Sequence, residues 1–234
     1  MKKGATLAAL ALMGTHAAFG SLISIGGVPI SGAGLGAQNT VLTITSPANS
    51  TTESGCVAAG LAGALVTGAA ACPAGFTGGD EQAINNTDSA TFLGLTDFNN
   101  LQIIFNASEP NSAAQQDITL TNLALTLWDP ATGLILDARY IGGPIVFPSV
   151  DPGVGNAGFG FKLDAGQAAT VNGILAAFPD LFIGISATAD NAQGGLETFS
   201  VRTVSALPTI PEPSTYALAG TALMALYFMR RKRA

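Results

Sequence analysis

The sequence predicts a mainly β fold, a jelly-roll-like β-sandwich with one short helix. Apolar residues recur at every second position in several separate stretches. Pro, Gly, Asn and Asp gather between those stretches, where turns need them. No fixed repeat period runs along the chain, which counts against a propeller or β-helix. Roughly eight to ten strands in two packed layers are the economical way to bury one face of each.

Leu42 and Ile44 mark an early strand, and residues 46–50 read as a loop. Leu101, Ile103, Phe105 and Ala107 share one parity and Gln102 and Asn106 the other, the pattern of a strand with one buried face; residues 107–116 read as a second loop. Between Asp117 and Ile141 lies a hairpin, broken by Trp128-Asp129-Pro130-Ala131-Thr132-Gly133 at its turn. Its first arm changes phase from Ile118 and Leu120 to Leu123, Leu125 and Leu127, so a bulge near Thr121 and Asn122 is expected. The second arm puts Leu134, Leu136, Ala138 and Tyr140 on one side, with Asp137 and Arg139 as a solvated pair worth little on the other. Phe159, Phe161 and Leu163 form another strand. A short helix follows over residues 164–178, capped by Asp164 and ended by Pro179. Two further strands carry Leu181, Ile183, Ile185, Ala187 and Ala189, then Phe199, Val201 and Thr203.

The two ends of the chain differ from this body. Lys2 and Lys3, the apolar run Ala5 to Met13 and the small residues up to Gly20 have the form of a secretory signal peptide over residues 1–20, directed to the Sec machinery. Cleavage after Gly20 is the first choice and after Ala17 the alternative. At the other end Pro211-Glu212-Pro213 precedes an uncharged apolar helix over 214–229, then Arg230, Arg231, Lys232 and Arg233. That run is short for a span, since about 20 residues are needed, and its basic end would stay cytoplasmic. A transient anchor fits it better than a permanent one, and a buried C-terminal helix is disfavoured because four adjacent cations would need paired partners that the body hardly offers.

This tail, residues 209–234, resembles the PEP-CTERM sorting signal of Gram-negative bacteria in order, spacing and terminal position. The resemblance implies recognition and cleavage by exosortase, a membrane cysteine transpeptidase, in bacteria that make extracellular polysaccharide. It implies anchoring in the inner membrane before processing, and the cell surface or extracellular matrix afterwards. Pro211, Glu212, Pro213 and the Arg230–Arg233 cluster are then recognition residues, not catalysts.

Residues 21–208 remain as one exported domain. Of nine basic residues two lie in the leader and four in the tail, leaving Arg139, Lys162 and Arg202 against fourteen acids, a formal balance of −11. Such a field repels nucleic acid. Cys56 and Cys72, the only cysteines, are expected to pair outside the cytoplasm and to pin residues 53–85, an Ala/Gly-rich insertion.

The single histidine, His16, belongs to the leader, so the body lacks imidazole for nucleophilic catalysis or the usual zinc sites. The acids, among them Glu53, Asp80, Glu81, Asp88, Asp97, Glu109, Asp129, Asp151, Asp180 and Asp190, fall at turn-like positions, where solubility explains them better than catalysis. No catalytic residue, metal site or cofactor is expected. Calcium is the one ion that oxygen-rich loops with Asp80, Glu81, Asp88, Asp97, Asp190 and Asn191 would favour, although no spaced Asp/Asn loop is present. Trp128 and Tyr140 could stack on sugars, but packing at the hairpin is the better reading. The sequence thus points to a non-enzymatic surface or biofilm-matrix protein. A carbohydrate-binding module, with or without calcium, is the alternative, and a glycan-cleaving enzyme with paired carboxylates comes third.

Overall fold

The computed structural model describes residues 19–28, 39–47, 50–82, 85–107, 117–147, 158–192 and 195–204. The leader up to residue 18 and the tail from residue 205 lie outside the described residues, as does the apolar run 214–229. The described residues form twelve strands: β1 (Phe19–Val28), β2 (Asn39–Ile44), β3 (Thr52–Ala59), β4 (Leu65–Thr67), β5 (Asp88–Ser89), β6 (Leu101–Asn106), β7 (Ile118–Asp129), β8 (Gly133–Tyr140), β9 (Ile145–Phe147), β10 (Gly158–Leu163), β11 (Phe182–Asp190) and β12 (Glu197–Thr203). The one α-helix among the described residues is α1 (Ala165–Ala177). The β class and the helix are as expected. The strands, however, form one continuous curled sheet instead of two hydrogen-bonded layers, in the order β2-β12-β6-β10-β1-β8-β7-β11-β3-β4, with β5 on β11 and β9 on β7.

Bulges supply the curl, because each extra residue bends its strand and increases the local twist. The expected one is present: Asn122 faces Thr188 and Leu120 faces Ala189, leaving Thr121 over. Others leave Ile25 over in β1, between Ser24 and Gly26, and Val41 over in β2, opposite Phe199 and Ser200. A bulge at Ile135 of β8, opposite Leu127 and Trp128, was not expected. It pairs Leu127 with Leu136 but Trp128 with Leu134, which turns Leu134 away from the core and leaves it 45% exposed.

The concave face holds the main core. Phe105 stacks on Phe199 at 4.7 Å between ring centres and meets Phe147 edge-on at 5.2 Å, while Leu123, Leu125, Leu127, Ile183 and Ile185 fill the region across β7 and β11. The curl brings β2 back against β3. Asp80, Gln82 and Asn86 stitch these two strands: Asp80 N–H donates to the Ser54 carbonyl, Thr45 N–H to the Asp80 carbonyl, Gln82 N–H to Thr43 and Asn86 N–H to Val41, at 2.9–3.2 Å.

β1 joins the two halves of the sheet. It runs antiparallel to β10 from Leu22 to Val28 and parallel to β8 over Phe19–Leu22, opposite Asp137–Tyr140. The chain then returns from β10 into α1, whose N-cap Asp164 accepts the Gln167 N–H at 2.7 Å and the Ser21 hydroxyl. Those two bonds, the Ser21 one foremost, hold the Asp164 carboxyl below its ordinary range. Val171 and Ala168 face the core, and Ile174, Leu175 and Phe178 pack against its edge.

Candidate functional site

The convex face of β7, β11 and β3 is also covered. Successive side chains of a strand point to opposite faces, so Leu123, Leu125 and Leu127 enter the main core while Thr126 and Trp128 point the other way. There a second apolar cluster forms from Cys56, Ala58 and Ala71, flanked by Val66, Cys72, Phe76 and Trp128. The covering is the stretch after β3. The segment expected as an insertion therefore divides in two: its start is β3, buried from Glu53 to Ala59 in the sheet, and only the chain beyond Ala59 is an excursion.

That excursion is held by chemistry more than by area. Cys56 and Cys72 form the expected disulfide, with 5.1 Å between Cα atoms. Glu81 accepts backbone N–H groups from Cys56 at 2.7 Å, Gly68 at 3.2 Å and Gly79 at 2.9 Å, tying β3 and the middle and end of the cap to one carboxylate. Asp80 accepts the Ser54 N–H at 2.8 Å, and the Ser54 hydroxyl donates to the Thr77 carbonyl. Trp128 donates its indole N–H to Thr126 at 2.8 Å. Gly184 on the neighbouring strand leaves the space this needs, since a Cβ there would run into the Val57 carbonyl and the Thr126 hydroxyl and lie 3.1 Å from the indole nitrogen. Arg139 departs from expectation: it pairs with Asp137 at 2.5 Å and lies 5.5 Å from the Phe76 ring centre, with only 27% of its side chain exposed. Its cationic face closes the rim of the cap instead of standing in solvent.

The calcium candidates are not brought together. Asp80 and Glu81 serve the cap; Asp97 accepts Asn99 N–H at 2.9 Å and Asn172 Nδ2 at 2.7 Å; Asp190 accepts the Thr52 hydroxyl at 2.7 Å; Asn191 donates to Thr119. Among the described residues the group close enough for a metal is Cys56, Cys72 and Glu81, and a disulfide offers no thiolate. The turn-like reading of the acids needs correction for Glu53 and Asp88. Glu53 and Glu197 lie fully buried in β3 and β12, and Asp88 is buried in β5. Burial pushes the Asp88 carboxyl above its ordinary value, while one of its oxygens accepts Asn86 Nδ2 at 3.1 Å.

Tyr140 packs edge-on against Phe161 at 5.6 Å, so neither it nor Trp128 forms an open aromatic platform. A groove of about 450 Å³ runs between α1 and the 91–96 loop, lined by Thr91, Leu95, Thr96, Asn172, Leu175 and Pro179. Asn172 spends both ends of its amide on Phe98 N–H and Asp97, and Thr91 donates to the Pro179 carbonyl. Pro211, Glu212, Pro213, Arg230, Arg231, Lys232 and Arg233 lie outside the described residues. No helix among the described residues is long and apolar enough to cross a membrane.

Comparison with known proteins settles the class of the tail. Residues 209–233 match the PEP-CTERM protein-sorting motif, which implies an exported protein, anchored in the membrane until exosortase processes it. No curated protein and no solved structure matches the chain. The match lies wholly beyond β12, so it assigns a route and not a family to the β domain.

Proposed function

We propose that the β domain is a non-enzymatic structural or adhesive element of the surface or exopolysaccharide layer of a Gram-negative bacterium, delivered there by its sorting tail. The observation that carries this reading is the PEP-CTERM motif at residues 209–233. The body supports it in two ways. It has no imidazole, because His16 precedes the domain, and several of its acids are engaged in local architecture: Glu81 in the cap, Asp164 and Asp97 in caps of helical turns. A folded, acidic, disulfide-tied module suits an oxidising exterior.

Intact-mass measurement in the producing strain, with and without its exosortase, tests the route. A mature protein lacking Arg230 to Arg233 only when exosortase is present is the expected result, and an intact tail in both strains ends the proposal. A glycan array probed with the mature protein, with calcium and with chelator, tests the matrix role. Retention on the producer's own polysaccharide is expected.

A further inference from the structure

The sequence leaves two leader cleavage points, each with small residues one and three positions before the cut: Thr15 and Ala17, or Ala18 and Gly20. The sheet distinguishes them. Its two halves, β2-β12-β6-β10 and β8-β7-β11-β3-β4, are joined through β1. On the β8 side that joint is the four-residue parallel ladder Phe19↔Asp137, Gly20↔Ala138, Ser21↔Arg139 and Leu22↔Tyr140.

Cleavage after Gly20 would remove the first two of these four positions. It would also create an ammonium group at Ser21, inside the joint, where the Ser21 carbonyl accepts the Asp164 N–H at 3.1 Å and its hydroxyl bonds the same residue. Chain ends fray, and fraying from Ser21 reaches Leu22 at once, a core residue 1% exposed. A shortened ladder would leave part of the β8 edge without its hydrogen-bond partners. Cleavage after Ala17 keeps all four pairs and places the new amino group one residue ahead of the ladder.

We propose that the leader is removed after Ala17, so that the mature chain begins at Ala18. In this hydrolysis water gives its hydroxyl to the Ala17 carbonyl carbon and a proton to the Ala18 nitrogen as the peptide bond between them breaks. The inference rests on the reading of residues 1–20 as a cleaved leader.

N-terminal peptide mapping of the full chain, exported with its own leader, tests it. An Ala18 terminus is expected. A Ser21 terminus overturns the inference while leaving the leader reading intact, and a retained Met1 overturns both. Two variants separate the sites without depending on folding, because a bulky residue immediately before the cut blocks cleavage. Gly20→Leu should still yield Ala18, whereas Ala17→Leu should abolish that terminus. Normal processing of Ala17→Leu to Ser21, with loss of processing in Gly20→Leu, would refute the assignment.

Discussion

The two faces of β7, β11 and β3 are covered by different means. On the concave side Phe105, Phe199, Leu125 and Ile185 bury large apolar side chains against one another. On the convex side the covering is mostly Ala and Gly, and its apolar cluster is small. A disulfide, one carboxylate bonded to three backbone N–H groups and one guanidinium over a phenyl ring take the place of area there. The difference teaches that a polypeptide too poor in large apolar residues to pack by hydrophobic burial can still be fixed as a layer when covalent and charge-assisted bonds reduce its freedom.

Mutations on the two faces should separate these mechanisms. The largest effect is expected from Phe105→Ala, which removes a ring packed against two others and should destabilise the whole domain by about 3–5 kcal/mol; chemical denaturation would measure it. Replacing both Cys56 and Cys72 by Ser should cost about 3 kcal/mol, as for closure of a loop of this size, and hydrogen exchange should rise first in residues 60–82. Equal loss of protection across the concave core would show that the cap is not a separate layer. Glu81→Gln is a milder probe. Its amide nitrogen cannot accept, so at least one of the three N–H groups loses its partner, costing about 1–2 kcal/mol with the same pattern of exchange.

The smallest effect distinguishes a buried acid from the exposed ones. Because burial raises the Asp88 carboxyl, the folded state holds its proton more tightly than the unfolded chain. Stability should therefore fall as pH rises from the ordinary carboxylate range through the folded value, and level off above it. Asp88→Asn should remove that slope in denaturation measured across acid to neutral pH. Asp164, lowered by the Ser21 and Gln167 bonds, acts in the opposite sense, contributing stability that is lost as pH falls through its folded value.

Much of this architecture could be read from period-two patterning, and the exceptions have physical causes. β10, β11 and β12 carry mostly small or polar residues on the face away from the main core, so their alternation survives in the sequence. β3 has a core on one side and the cap on the other, and its residues Thr-Glu-Ser-Gly-Cys-Val-Ala-Ala carry no alternation; small residues on both faces made it look like an insertion. The bulge at Thr121 announced itself as a phase change between Leu120 and Leu123. The bulge at Ile135 did not, because Leu134, Ile135 and Leu136 are all apolar and either register looks acceptable. The single curled sheet was not legible because hydrogen-bond order depends on which strands meet in space, which alternation does not encode. Of the sites, the Cys56–Cys72 pairing was readable from composition and compartment, and the tail from its motif. The role of Glu81 was not: an Asp80-Glu81 pair after Gly78 and Gly79 reads as a turn and gives no local sign that the N–H groups of Cys56 and Gly68 converge on it with that of Gly79.

The stitch made by Asp80, Gln82 and Asn86 bears on the order of assembly. Asp80 bonds both β3 and the chain following β2, and its neighbour Glu81 clasps the cap. Joining Thr45 to Asp80 closes a long stretch of chain, which is entropically costly while that stretch is free. Once Cys56 and Cys72 are oxidised and Glu81 is seated, most of the stretch is already ordered, and the remaining closure is short. Oxidation before closure is thus the faster path, and the curl should complete late, after export has exposed the two thiols to an oxidant.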